Sequence, residues 1–490
     1  MSFTSLGFAV CFPILLVIYY AIPEKAKKYF LMLCSGIFYV LFDFRFIAVL
    51  LLVIAVSYLF ALLVAKKKSR ILMWIGILLS LSPLIILKYV GIYSNLAAVT
   101  GISFFTLQAV SFIVDRFRMN MDSDDVRNRC SFADYILYMT YFPTIVSGPI
   151  KKYDQFASQI SIPKTFDYEK VRRGLYMMAA GYIEKLMLAD CAAKFVSSVF
   201  DSKDILPGCY ILLATVTFGL QLYFDFAGYS YIAIGASLTL GYDVPDNFLQ
   251  PYFATSIKEF WRRWHISLST FLKDYVYIPL GGSRCSKARK YFNLMITFLV
   301  SGIWHGVGLN FVFWGALHGI YQVVGDIKNA IIDKFRNKEK SVEMSSQDFR
   351  KNTVCDSPAH MAKSIIVFIL VDYAWLYFRA NSLTQGFEFT KQMITEFNVS
   401  SLSDGWIFQA GMNKIQLLFW VVVAFLVFVF DLCMYKKIDL FAKLASKKTL
   451  FRWVVYFCVI GIILVGYISG LGKNAGAFIY GGFYYEEIDC

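Results

Sequence analysis

Residues 291–325 read YFNLMITFLVSGIWHGVGLNFVFWGALHGIYQVVG, 35 residues without one Asp, Glu, Lys or Arg. A helix that crosses the hydrocarbon layer needs about 20 apolar residues, so the run is too long for a single straight crossing. Lys287, Arg289 and Lys290 precede it and Lys328 follows it. Basic residues beside apolar runs mark the cytoplasmic side. Two cytoplasmic ends imply a hairpin or a re-entrant pair, broken around Gly306-Val307-Gly308-Leu309-Asn310, with His305 near its apex. Irregular backbone at that depth is tolerated only when buried in protein or lining a watery cavity.

The rest of the chain agrees with a lipid solvent. Of its 490 residues 58% are apolar, 18% aromatic and only 17% charged, where a soluble protein carries about a quarter charged residues. The net charge of +14 then sets orientation in the membrane and excludes a nucleic-acid reading. Ten cysteines are scattered with no CxxC pair, so no zinc ribbon, redox dithiol or disulfide framework is expected, and no metal site. The apolar start, Met1 to Tyr20, lacks a positive n-region and a small-residue cleavage site, and reads as a retained first span.

Apolar runs lie near 5–22, 29–43, 45–65, 71–90, 101–114, 132–149, 174–197, 205–240, 291–325, 362–378, 415–434 and 451–472. They predict an all-α polytopic integral membrane protein: a single membrane domain over 1–490, with about ten to twelve transmembrane helices plus re-entrant or interfacial helices. Lys25, Lys27 and Lys28, then Lys66 to Lys68 with Arg70, then Arg116, Arg118, Arg127 and Arg129 fall on the cytoplasmic side, which leaves the N-terminus outside. The polar stretch 326–361, with Lys334, Arg336, Lys338 and Lys340, reads as a cytoplasmic loop. The segment 381–413 reads as extracytoplasmic, Lys436, Lys437, Lys447 and Lys448 mark a return to the cytoplasm, and the tail after Lys473 is outside. The expected location is the plasma (inner) membrane, crossed many times.

No repeat at a fixed period is present. Secondary transporters often carry two similar halves with paired broken helices. Here the polar, Trp-rich and His-rich material gathers in one block, 221–321, which favours a reaction centre over a transport path or a flippase.

Three of the four histidines fall in that block: His265, His305 and His318. Histidine exchanges protons near neutral pH, and ionisable residues at membrane depth are functional by default. His305 sits in Ser301-Gly-Ile-Trp-His-Gly306, beside Trp304 and before Asn310. If helix runs from about Phe311, His318 shares a face with Trp314 and Tyr321, lining a pocket wall or clamping two helices. His265 lies in Glu259-Phe-Trp-Arg-Arg-Trp-His-Ile-Ser-Leu-Ser269, where Trp261 and Trp264 suit anchoring among headgroups but His265 with Ser267 and Ser269 does not need such a role. His360, in the polar stretch, reads as solvated. Asp225 is a carboxylate in an apolar run and requires Arg, His or several hydrogen bonds; Lys185 and Asp190 have the same standing.

The ordered set Asp225-Phe-Ala-Gly-Tyr-Ser230, Asn247-Phe-Leu-Gln-Pro-Tyr252, Glu259 to Ser269, Tyr275-Val-Tyr-Ile-Pro-Leu-Gly-Gly-Ser-Arg284, Ile303-Trp-His-Gly306 and Trp314 to Gly319 resembles the membrane-bound O-acyltransferase (MBOAT) family. It is most similar to the alginate O-acetylase branch, with Gly101 to Gln108 and Ser147-Gly-Pro-Ile150 fitting the same branch, over about Lys66 to Ala380. The resemblance implies an all-helical fold with His305 at the bottom of a funnel, and His265 and His318 as the family's other histidines. It implies an O-acyltransferase with no bound cofactor, moving an acetyl or other acyl group from acetyl-CoA or a related thioester to a hydroxyl of an extracellular polysaccharide or a secreted partner protein. Arg262, Arg263, Arg284 and Lys287 are candidates for the donor's phosphates, and Asp225, Trp261, Trp264, Trp304, Asn310 and Trp314 for supporting or substrate contacts. Tyr231 stands where the branch often has an acidic residue, which keeps D-alanyl transfer to teichoic acid open as the alternative within the family.

Overall fold

Caps and glycines delimit the helices. The computed structural model describes residues 2–90, 101–119, 131–336, 358–408 and 410–468, and among these no strand occurs. Arg127, Arg129, Lys338, Lys340, Cys130, Cys355, Cys490 and the tail after Lys473 lie outside the described residues. Six helices among the described residues are long and apolar enough to cross a membrane: Phe44–Lys67, Arg70–Tyr89, Gly208–Thr239, Pro358–Arg379, Lys414–Tyr435 and Thr449–Gly466; Leu6–Ala21 is a shorter apolar one. The chain is therefore an all-α polytopic membrane protein.

The other apolar runs are shorter or interrupted. The run 132–149 divides at Tyr141 into Phe132–Thr140 and Phe142–Ile145. The run 174–197 passes from Tyr168–Tyr182 through a π-helical stretch, Ile183–Ala189, into Asp190–Phe200. By contrast the 205–240 run, one of the six spans, is a single helix of 32 residues.

The chain forms two compact units, one of residues 1–190, 223–247 and 447–490, the other of 191–222 and 248–446. The 221–321 block is shared between them. In the first unit, Ile47–Lys67, Arg70–Ile85 and Ile102–Arg118 pack on one another. There too, a Cβ on Gly174 would stand 2.6 Å from the Gly235 carbonyl oxygen and one on Gly181 2.4 Å from that of Gly228, the backbone-to-backbone approach that small residues permit between membrane helices.

The second unit holds the histidines. Its helices are α1 (Gly208–Thr239, of which 208–222 belong to this unit), α2 (Ile257–Arg263), α3 (Ile266–Leu272), α4 (Lys287–His305), α5 (Leu309–Arg336) and α6 (Pro358–Arg379). The 291–325 run is the α4–α5 hairpin. Ser286 caps α4 by accepting from the Arg289 N–H, and the helix ends at His305 because Gly306 takes an extended backbone. The two arms touch closely: a Cβ on Gly302 would lie 2.3 Å from the Phe311 carbonyl oxygen, and one on Gly315 2.4 Å from that of Phe298.

Helix α5 continues to Arg336, so the expectation of loop from 326 is corrected for its first part. The alternation of Ile327, Ile331 and Ile332 with polar residues sustains a helix where the rise in charge suggested loop. His360 is likewise helical, in α6, and hydrogen-bonds the Tyr435 hydroxyl at 3.1 Å; it is not a solvated loop residue.

Candidate active site

Helix α2 opens at Ser256, whose hydroxyl accepts from the Glu259 N–H at 3.1 Å. Glu259 accepts in turn from the Thr255 N–H and hydroxyl, at 2.9 and 2.8 Å, and from the Arg263 Nε at 3.0 Å. This cap fixes the pitch of the one turn that carries Trp261. The helix stops at Trp264, which is extended, and His265 then takes a left-handed backbone with φ 42° before α3 begins. A non-glycine residue there is strained by about 1 kcal/mol or more, and such strain concentrates at functional positions. The His265 carbonyl accepts from the Ser269 N–H at 3.0 Å, so the kink is also the first turn of α3.

Trp261 and Trp264 are buried. The expectation that they anchor among headgroups is corrected: the alternation of aromatic and cationic residues is real, but the aromatic face packs inward. Trp264 lies 5.4 Å from Phe260 and 5.0 Å from Trp375. The Trp261 indole N–H donates to His318 Nδ1 at 3.2 Å.

His318 is fully buried on α5. Its ring centroid is 5.0 Å from those of Trp261 and Trp314, 5.9 Å from Tyr321 and 6.1 Å from Trp375. Trp314, His318 and Tyr321 thus share the helix face that their spacing predicts. Because the indole donates to Nδ1, a neutral His318 carries its proton on Nε2, which has no hydrogen-bond partner among the described residues.

His305 is buried at the last residue of α4, where the hairpin breaks. Its ring is 4.7 Å from Trp304, 5.0 Å from Trp314 and 5.3 Å from Phe378. Trp304 also reaches His265, at 6.3 Å. Trp314 therefore touches both His305 and His318, and Trp304 touches both His305 and His265. Aromatic walls of this kind exclude water and hold each imidazole in one orientation, the condition under which a proton-transfer group works at a fixed distance.

Asn310 is buried, and its amide donates to the carbonyls of Ala380 at 2.8 Å and Tyr377 at 3.3 Å. It ties the start of α5 to the end of α6 and so pins the apex beside His305. Arg263 is committed to Glu259 and to the Leu249 carbonyl at 3.0 Å, whereas Arg262, Arg284 and Lys287 are exposed. Asp225 belongs to the first unit, where Lys185 bonds it directly and also bonds Asp190 at 2.8 Å; the partner it requires is a lysine.

Two members of the cage were not singled out from the sequence: Trp375 and Phe378, both on α6 and both buried. Trp375 stacks on Trp314 at 5.6 Å and contacts Phe378 at 5.3 Å. The available signal was Asp372, a lone carboxylate in the apolar run 362–378 with Trp375 at i+3.

Comparison with known proteins adds three findings. The model of the membrane-bound O-acyltransferase family matches residues 50–353. The chain is 32% identical, over 82% of its length and 78% of the relative's, to a protein of Pseudomonas syringae pv. tomato named "Probable alginate O-acetylase". It is 30% identical to the peptidoglycan O-acetyltransferase of Helicobacter pylori, over 76% of this chain and 75% of that one, and 28% identical to the teichoic acid D-alanyltransferase of Streptococcus thermophilus, over 56% and 69%.

Proposed function

The chain belongs to the membrane-bound O-acyltransferase family and is an O-acyltransferase, and we propose that it moves an acetyl group from a cytoplasmic thioester, acetyl-CoA or a relative of it, to a hydroxyl outside the membrane, with His305 as the base. The acceptor is a polysaccharide hydroxyl or a serine on a secreted partner that passes the acetyl on. His305 takes the proton of the attacking hydroxyl as the oxygen bonds to the thioester carbonyl carbon. The tetrahedral adduct then expels the thiolate, which recovers the proton from the imidazolium, so ester and thiol leave and the enzyme is restored. His318 or His265 orients the site or polarises the carbonyl. The exposed Arg262, Arg284 and Lys287 meet the donor's phosphates, with Arg263 beside them. The plasma (inner) membrane is the location this reaction needs, since donor and acceptor lie in different compartments.

The observation that carries this reading is the placement of His305: an imidazole at a helix end, inside the break of the hairpin, walled by Trp304, Trp314 and Phe378. The wider coverage by the acetylating relatives supports acetyl over D-alanyl transfer, and the transport alternative is set aside with the family. His305→Ala is expected to lower acetyl transfer by about 10²–10⁴-fold while the protein still inserts in the membrane. Acetylation retained in that variant refutes the base assignment, and turnover with a D-alanyl thioester but not acetyl-CoA refutes the choice of acyl group.

A further inference from the structure

Four non-glycine residues among those described take a left-handed backbone: Lys68, Gln250, His265 and Lys437. A side chain at such a position crowds the following carbonyl oxygen, so the conformation persists only where the surroundings over-determine it. Gln250 and His265, at φ 47° and 42°, both adjoin one pair of residues. The Leu249 N–H donates to the Arg263 carbonyl at 2.9 Å, and Arg263 Nη1 donates back to the Leu249 carbonyl at 3.0 Å. Leu249 immediately precedes Gln250, and Arg263 stands two residues before His265. One two-way bridge therefore fastens both strained turns to each other.

The rest of the guanidinium is also directed at protein. Arg263 Nε and Nη2 hold Glu259 Oε1 at 3.0 and 2.9 Å, and the group lies over the Tyr435 ring, 4.8 Å from its centroid. Phe253, which ends the turn that Gln250 opens, stacks on the same Tyr435 ring at 5.2 Å. All three nitrogens of Arg263 thus face a protein acceptor while one flat side is covered, an arrangement open to a planar fork and not to an ammonium. What the bridge holds in place is the side of the site that carries histidines. The His265 ring is 6.3 Å from Trp304, which is 4.7 Å from His305, and in the turn of α2 just before Arg263 the Trp261 indole donates to His318.

We infer that Arg263 is a positioning residue for acyl transfer: it touches no substrate, and it clamps the end of α2 to the Gln250 turn so that His265 and Trp261 stay in place against Trp304 and His318. The inference rests on the acyl-transfer reading and divides two neighbouring arginines by task, the exposed Arg262 toward the donor's phosphates and Arg263 toward the protein. The two tasks act on different steps. A phosphate contact governs donor binding, whereas a clamp governs the rate once the donor is bound, because a misplacement of about 1 Å costs about 10²-fold. Gln250 offers an independent handle on the clamp. Glycine takes a left-handed backbone without strain, so a turn rebuilt with glycine at 250 depends less on the bridge.

The test uses inside-out vesicles from cells that make the full chain, supplied with labelled acetyl-CoA or with labelled S-acetylpantetheine, a thioester without phosphates, and reads acetyl ester formed on vesicle glycan per folded chain. Arg263→Gln is expected to lower kcat by about tenfold or more on both donors, with the KM for acetyl-CoA unchanged. Arg263→Lys, which keeps the charge but not the fork, is expected to fall as far. Added to Arg263→Gln, the change Gln250→Gly is expected to recover part of kcat, a rescue that an arginine serving only as packing would not show. Should the glutamine variant not fold, the lysine variant with and without Gln250→Gly carries the test. A loss carried by the KM for acetyl-CoA, a lysine variant with full activity, or a glycine change without recovery overturns the clamp alone. Wild-type vesicles that form no acetyl ester from either donor overturn the acyl-transfer reading and the clamp with it.

Discussion

His318 has its proton placed by one neighbour. With the Trp261 N–H on Nδ1, the imidazole is held as the Nε2–H tautomer and can give a hydrogen bond from that nitrogen. Trp261→Phe keeps an aromatic ring in the wall but deletes the donor. Partners that orient metal-bound imidazoles typically contribute about 10–100-fold, and for an imidazole without a metal the lower end applies, so acetyl transfer is expected to fall by about tenfold with little change in folded yield. The pH profile of kcat/KM is expected to shift, because both tautomers become accessible. An unchanged rate and profile would show that the Trp261 hydrogen bond does not set a working tautomer of His318. From the sequence, the face shared by Trp314, His318 and Tyr321 was legible, since neighbours at i+3 and i+4 on one helix are set by its pitch. Trp261 as the donor to Nδ1 was not, because 57 residues separate the two and periodicity within a helix says nothing about which helix it meets.

Among elements, the α4–α5 hairpin was the most legible. Gly306 and Gly308 mark the break, and its long uncharged arms demand a turn inside protein. What the sequence did not disclose is how close the arms come. The carbonyl of Phe311 occupies the space of a Gly302 side chain, so Gly302→Ala forces the helices apart. Overpacking of that kind costs about 1–3 kcal/mol, expected as a lowered thermal midpoint of the purified protein together with loss of acetyl transfer, since His305 is on the next turn. A midpoint equal to wild type would contradict the close approach. The ion cluster of the first unit obeys a different rule. Lys185 lies on the π-helical stretch between two carboxylates, Asp190 and Asp225, all three nearly fully buried. Lys185→Leu strands both acids, and breaking a buried pair costs about 3–5 kcal/mol. Folded protein recovered in detergent is expected to drop sharply, and to return when Asp190→Asn and Asp225→Asn are added. No rescue by the added amides would mean that the lysine acts through something other than its charge. Sequence reasoning saw three isolated ions here, because a separation of 40 residues hides a direct contact.

For the molecule as a whole, orientation decides which compartment supplies the donor. Lys68 turns the chain between the spans Phe44–Lys67 and Arg70–Tyr89 in a left-handed backbone, and its Nζ bonds the carbonyls of Arg116, Phe117 and Met119. The basic groups at 66–70 and 116–118, far apart in sequence, therefore stand at one end of the first unit, which is what a shared cytoplasmic face demands. The span Lys414–Tyr435 gives the sharpest test, since a single crossing puts its two flanking segments on opposite sides of the membrane. Segment 436–448 carries five lysines, against one, Lys391, in the lysine and arginine content of 381–413. With the ten native cysteines replaced, a cysteine at the exposed Ser400 is expected to react with a membrane-impermeant maleimide on intact cells. One at the exposed Ser446 is expected to react only after permeabilisation. The reverse pattern would place the lysines outside and the acyl thioester's entry on the wrong side of the membrane, so that the donor and acceptor assigned to His305 would have to exchange compartments.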